Sequence, residues 1–216
     1  MPAEAGRIAR AHDLYMRAVF HGEAGGLAAA DGILDAVEAD LSLERGRVLH
    51  AAFLADRAAG GDPRELDFFE RAAALYRGLG DERGEGEARF WIGTYHQVVN
   101  GDVALAEPFF EHALELARKT GDDLTASYAL RHLAFVVQES GDPAAARELM
   151  EESTDLRRSL GFGAGVAANL LALAFIVRDG GDPERARALL DEAAMEAEAA
   201  DAAGVKGWIE ASRAEL

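Results

Sequence analysis

The sequence predicts an all-α fold assembled from stacked helix pairs, and three observations carry that expectation. Residues that favour strands are scarce: the 216-residue chain holds 5 Ile, 11 Val and 4 Thr. Ala, Leu, Glu and Arg abound instead, and these lose little conformational freedom in a helix. Gly-Asp recurs at Gly61-Asp62, Gly101-Asp102, Gly141-Asp142 and Gly181-Asp182, a spacing of 40 residues. Between these lie Gly80-Asp81, Gly121-Asp122 and Gly161, with Asp201 in the next slot, so the chain is cut about every 20 residues. A period of this kind marks a repeat architecture.

Each break has a local mechanism. A glycine just past a helix end takes the left-handed conformation that closes the last carbonyls, and the next Asp caps the following helix. In Gly-Asp-Pro at 61–63, 141–143 and 181–183 the proline stands where a helix begins and its missing N–H costs nothing. Helices are therefore expected at about 4–20, 24–39, 43–59, 63–79, 83–99, 103–119, 123–139, 143–159, 163–179, 183–199 and 203–215. Pro108 falls inside one of them, where it removes a hydrogen bond to Ala104, so that helix is expected to kink or to begin late. The uncharged run Ser159–Val177 has almost membrane-spanning length, but it contains a corner and stays in register with the repeat, so a buried helix is expected instead.

The packing positions resemble those of the tetratricopeptide repeat family. Gly101 to Leu116 is similar to the second half of such a repeat, with small Ala106, aromatic Phe110 and small Ala113. The next two periods supply Ala146, Met150 and Ser153, then Ala186, Leu190 and Ala193. The first helices follow the family's large, large, small, large pattern in Leu130, Leu133, Ala134 and Val137, and in Leu170, Leu173, Ala174 and Val177. The period of about 40 resembles long-helix repeats of bacterial regulators and scaffolds rather than the 34-residue form. The resemblance implies a right-handed α-α superhelix of about five helix pairs with a C-terminal capping helix. The whole chain, 1–216, is read as one domain, with 1–40 a degenerate first period and 203–216 a lone terminal helix.

The resemblance also implies that the first helix of each pair lines a concave groove. Carried over residue by residue, that face receives Tyr128, Arg131, Phe135 and Gln138 from one helix and Ala168, Leu171, Phe175 and Arg178 from the next. Helix 83–99 is ambiguous, because its corners lie 21 residues apart, one more than its neighbours. Anchored on Gly101 it presents Trp91, Tyr95 and Val98, the preferred register; anchored on Gly80 it presents Phe90, Thr94 and Gln97. The candidate groove residues are thus Trp91, Tyr95, Tyr128, Arg131, Phe135, Phe175 and Arg178. Aromatic walls with two guanidinium anchors suit a peptide with a carboxylate, or an apolar or aromatic small molecule with an anionic group. An equally weighted reading makes half of these aromatics core and pairs the arginines with nearby carboxylates.

Composition narrows the function classes. A net charge of −17, with 22 basic residues against 39 acidic ones, argues against nucleic acid as a partner. The acidic residues of the second helices, among them Glu107, Glu111, Glu148 and Glu151, read as a solvated outer face. Six histidines show no metal-binding spacing, and no nucleophile elbow or phosphate loop is present, so no metal, cofactor or catalytic residue is assigned. Zero Cys and no cationic-then-apolar opening fit a reducing compartment, so a cytoplasmic location without membrane contact is expected. The preferred function is a non-catalytic module that binds a peptide, a protein or a regulatory small molecule, and a homodimer is compatible with it. The alternative is a small-molecule-binding repeat protein of specialised metabolism whose groove senses its ligand or acts on it through His96, His132, Tyr95 or Tyr128.

Overall fold

The computed structural model describes residues 3–213, and every regular element among them is helical. Two compact units meet in sequence between Gly101 and Asp102. The first holds α1 (Ala3–His21), α2 (Gly26–Ala55), a short 3-10 turn (Arg57–Ala59), α3 (Arg64–Leu79) and α4 (Glu82–Thr94), which runs on as a π-helical turn over Tyr95–Val99. The second holds α5 (Val103–Thr120), α6 (Asp123–Glu139), α7 (Pro143–Ser159), α8 (Gly163–Asp179), α9 (Pro183–Ala199) and α10 (Ala203–Ser212). Within each unit every helix packs on the next, and α10 also touches α8. Residues 214–216 of the expected terminal helix lie outside the described residues.

The corners work as their residues require. Gly80, Gly101, Gly121, Gly141, Gly161 and Gly181 all have φ between 66° and 94°, and Asp201 takes the same left-handed region at 49°. After Gly80, Gly121, Gly141, Gly161 and Gly181, the next residue donates its N–H to the carbonyl five residues back, as Asp81 does to Tyr76. Asp81, Asp102, Asp122, Asp142 and Asp182 each accept from the backbone N–H three residues on, which satisfies a donor that the new helix leaves open.

Three expectations about the helices need correction or refinement. The pair expected at 24–39 and 43–59 is one helix, α2, unbroken through 40–42. Leu41 stands where later corners hold a glycine or an aspartate in the left-handed region, so nothing there turns the backbone out of the helix. α2 ends at Ala55, short of the expected 59, and Gly60, at φ 79°, closes the 3-10 turn that follows. α5 starts at Val103 and continues through Pro108, so it does not begin late there.

Helix 83–99 absorbs its extra residue by local underwinding rather than by a shift. Asn100 donates to Tyr95 across a wider π turn at 3.2 Å, so neither register holds along the whole helix. Up to Gly93 the buried positions Ala88, Ile92 and Gly93 follow the Gly80 anchor, as Ala129, Leu133 and Ala134 do in α6. Beyond the π turn the chain rejoins the Gly101 anchor.

The core of the second unit follows the repeat alignment closely. Ala134, Ala146, Ala174 and Ala186 are all 0% exposed, which places small residues where helices approach most closely. Phe110, Met150, Leu170 and Leu190 fill the intervening layers. α8 is buried along most of its length, which accounts for its uncharged run. In the first unit, α2 and α3 come so close at Gly46 that a Cβ there would collide with the Phe69 ring.

Candidate functional site

α6 presents its polar and aromatic row because the other side of the same helix is committed to the core. Tyr128, Arg131, Phe135 and Gln138 recur at the three- and four-residue steps of one helical face and are all half-buried, whereas Leu130, Leu133 and Ala134 beside them are buried. α8 repeats the pattern with half-buried Ala168, Phe175 and Arg178, although Leu171, which the alignment places on the same row, is buried. Two contacts tie these rows together. Arg131 Nη1 donates to the Ala168 carbonyl at 2.9 Å, and Gln138 Nε2 donates to Asp179 Oδ2 at 3.0 Å.

The guanidinium groups on this face differ. Arg178 lies 4.9 Å from the centre of the Phe175 ring and pairs with Asp179 at 2.7 Å. Arg131 lies 5.0 Å from the Phe135 ring centre and donates to the Asn169 side-chain oxygen at 2.8 Å. Burial, with Arg157's charge nearby, pushes the Arg131 guanidinium down to about 9. Phe135 stands at right angles to His132, which in turn lies 5.0 Å from Phe110.

Trp91 and Tyr95 belong to the first unit. Trp91 is half-buried, stacks on Phe69 at 5.5 Å and meets the edge of His50 at 5.4 Å, while Arg47 covers its ring at 5.4 Å. Arg47 is itself held by Glu44 and Glu87. Tyr95 is 9% exposed and opens the π turn next to His96, which is buried too. Burial, and then the charges of Glu65, Asp67 and Asp62, raise the Tyr95 phenol above its ordinary value.

Two polar clusters escape the sequence reading. In the first unit His50 Nδ1 meets Glu65 Oε1 at 2.8 Å, with Glu65 fully buried and its second oxygen unpartnered. In the second unit Arg157, on α7, is 2% exposed and points into the space between α6 and α8. Its Nη1 donates to the Gly165 carbonyl at 2.9 Å and to Asn169 Oδ1 at 2.8 Å, and its Nε reaches Ser127 Oγ at 3.3 Å. Asn169 is fixed from behind: its Nδ2 donates to Ser153 Oγ at 2.8 Å, and Ser153 donates to the Ser127 carbonyl at 2.6 Å. Tyr128 and Phe162 cover the Arg157 guanidinium at 4.9 and 5.6 Å. Burial holds Arg157 at about 10. The signal was present in the sequence, because Arg157 continues the inward row Ala146, Met150, Ser153 at helical spacing.

Among the described residues, no group of three or more His, Asp or Glu is placed to hold a metal ion, and no helix is long and apolar enough to cross a membrane. No curated protein matches the chain significantly. A family model described as tetratricopeptide repeat matches residues 87–159 and again residues 125–194, so its two matches together cover half of the chain. The first match runs from within α4 to the end of α7 and the second from the start of α6 into α9, helices whose small core residues sit where the sequence places them. Such repeats generally mediate protein–protein interaction or scaffolding. The chain belongs to the tetratricopeptide repeat family.

Proposed function

We propose that the chain is a non-catalytic binding module whose α6/α8 face recognises a peptide segment of a protein partner. The observation that supports this is the division of labour within two adjacent helices: Tyr128, Arg131, Phe135, Phe175 and Arg178 stay half-buried in rows while their neighbours on the same helices are packed away. Half-buried aromatic rings offer apolar area at small entropic cost, and the guanidinium groups orient an anionic group of the ligand. Trp91 and Tyr95 have a different setting, packed among residues of the first unit, and the proposal places less weight on them.

A peptide-display selection on the immobilised full chain tests this reading. Enriched peptides should lose about thirtyfold in affinity, or more, with Phe135→Ala or Phe175→Ala, the loss expected for an anchor worth about 2 kcal/mol. Glu151→Ala, on α7 and paired with Arg147, should leave their affinity unchanged. Peptides that bind equally well to both phenylalanine variants would move the recognition surface elsewhere.

A further inference from the structure

We propose that Arg131 and Arg157, converging on Asn169 in the second unit, form a binding site for a phosphate dianion, free or as the monoester of a small molecule. The proposal rests on reading the α6/α8 face as a recognition surface, and names one chemistry for its deepest part.

The first support is a charge imbalance. Both guanidinium groups donate to the same Asn169 oxygen, and neither has a carboxylate partner among the described residues. Their remaining partners are neutral: the Ala168 and Gly165 carbonyls and the Ser127 hydroxyl. In a chain with 39 acidic residues, two buried cations left without one is a local departure from the composition. A buried charge without a counter-charge is costly, and such groups are ordinarily paired.

The second support is an open donor. Arg157 Nη2 is buried and has no hydrogen-bond partner, although the rest of the guanidinium is held on three oxygens. The rings of Tyr128, Phe162 and Phe135 cover guanidinium faces, so the free capacity lies at the N–H edges, where an oxyanion accepts. Asn169 is locked by Ser153, which fixes the oxygen that spaces the two arginines. The outward side of this arrangement is α6's half-buried row, Tyr128, Arg131 and Phe135, which gives a ligand its approach.

Charge counting selects the class of anion. One carboxylate would neutralise one of the two guanidinium groups. A phosphate monoester carries roughly −1.5 to −2 at pH 7 and offers three acceptor oxygens, enough for both arginines and for the open Arg157 donor. Both arginines remain protonated at that pH, since their values lie near 9 and 10.

The test uses the full chain, with inorganic phosphate, phenyl phosphate and benzoate as probes in buffers of matched ionic strength at pH 7.5. Titration calorimetry should show saturable binding of phosphate or phenyl phosphate, with benzoate at least tenfold weaker. Equal affinities for the first two would mean that free phosphate suffices, and a tighter phenyl phosphate would mean that the rest of the molecule is also held. Arg157→Met and Arg131→Gln should each weaken binding at least tenfold, and lowering the pH to 5.5, where the phosphate is mostly a monoanion, should weaken it further. Should Arg157→Met fail to fold, Arg131→Gln reads the same loss. Phe175→Ala, which is expected to damage peptide binding, should leave phosphate binding intact, so the two readings fail separately. No saturable binding, benzoate as tight as phenyl phosphate, or binding indifferent to both arginine variants would overturn the proposal.

Discussion

The two units bury charge in opposite ways. In the first, His50 meets Glu65 between α2 and α3, so a buried base faces a buried acid. In the second, Arg131 and Arg157 face each other across Asn169, with no acid between them among the described residues. The same helical scaffold thus supports one cluster in which a basic group meets an acidic one and another in which two guanidinium groups meet no acid among the described residues. A paired cluster is explained by the fold alone, whereas an unpaired one asks for something the chain does not supply.

The largest expected effect lies in the His50–Glu65 cluster. His50→Leu leaves the Glu65 carboxylate fully buried without its partner, and breaking a buried pair from one side costs about 3–5 kcal/mol. The corresponding substitution in the second unit, Arg157→Met, removes a buried charge that has no counter-charge, so in anion-free buffer it should leave stability unchanged or raise it. Urea unfolding of both variants measures this contrast. Comparable large losses in both would mean that the arginine cluster depends on its internal partners as much as the histidine one does.

Next in size is a core substitution that tests the repeat register in the second unit. Ala174 is 0% exposed on α8, packed in the same core as Ala146, Leu170 and Ala186. Ala174→Leu should overpack that contact and cost about 1–3 kcal/mol. An unchanged melting temperature would mean that the small-residue position has room that the packing does not show.

The arginine cluster also has a pH signature. Burial lowers Arg131 and Arg157 to about 9 and about 10, well below the ordinary guanidinium value. The unfolded chain therefore binds more protons than the folded one above about 9, and stability rises with pH through that window. Below it both groups are charged in either state and the full burial penalty is present. Any advantage of Arg157→Met over the parent chain at pH 7 should therefore shrink by pH 10.5, when both are compared by urea unfolding without phosphate. An advantage that stays constant would place the effect in packing rather than in charge.

What the sequence disclosed follows the range of the interactions involved. Corners were legible because a glycine and its following Asp act within a few residues, and Ala134, Ala146, Ala174 and Ala186 were legible because the repeat supplies several copies of one packing position. α2 was misread where that logic was extended to a place without a breaker, at Leu41. His50 and Glu65 fall on the successive expected helices 43–59 and 63–79, but only packing brings their side chains together. The 21-residue interval before Gly101 showed that a residue had to be absorbed, but not that a π turn at Tyr95–Val99 would absorb it. On the α6 face, Tyr128, Arg131 and Phe135 were placed in a row by helical spacing, and they form one. Arg157 was passed over because the charges of the second helices read together as an outer face. Its partners, Ser127, Gly165 and Asn169, come from two other helices that only packing brings together.

The smallest expected effect separates the clusters by their aromatic covers. Arg47 lies over Trp91 at 5.4 Å, but it keeps 32% side-chain exposure and is paired with Glu44 and Glu87, so its charge is already largely answered. Arg157 lies over Tyr128 at 4.9 Å, is 2% exposed and has no carboxylate partner among the described residues, so the ring face is among the few electron-rich surfaces it meets. A ring over a cation contributes about 0.5–1 kcal/mol at exposed sites and about 2 where the cation is desolvated. Double-mutant cycles built from Arg157→Met with Tyr128→Leu, and from Arg47→Met with Trp91→Leu, isolate the two coupling energies from the packing losses of each single change. The first coupling should exceed the second by about 1 kcal/mol in phosphate-free buffer. It should then fall when saturating phosphate is added, because a bound dianion answers the charge that the ring otherwise faces. Equal couplings, indifferent to phosphate, would remove the distinction between the two clusters at its most local point.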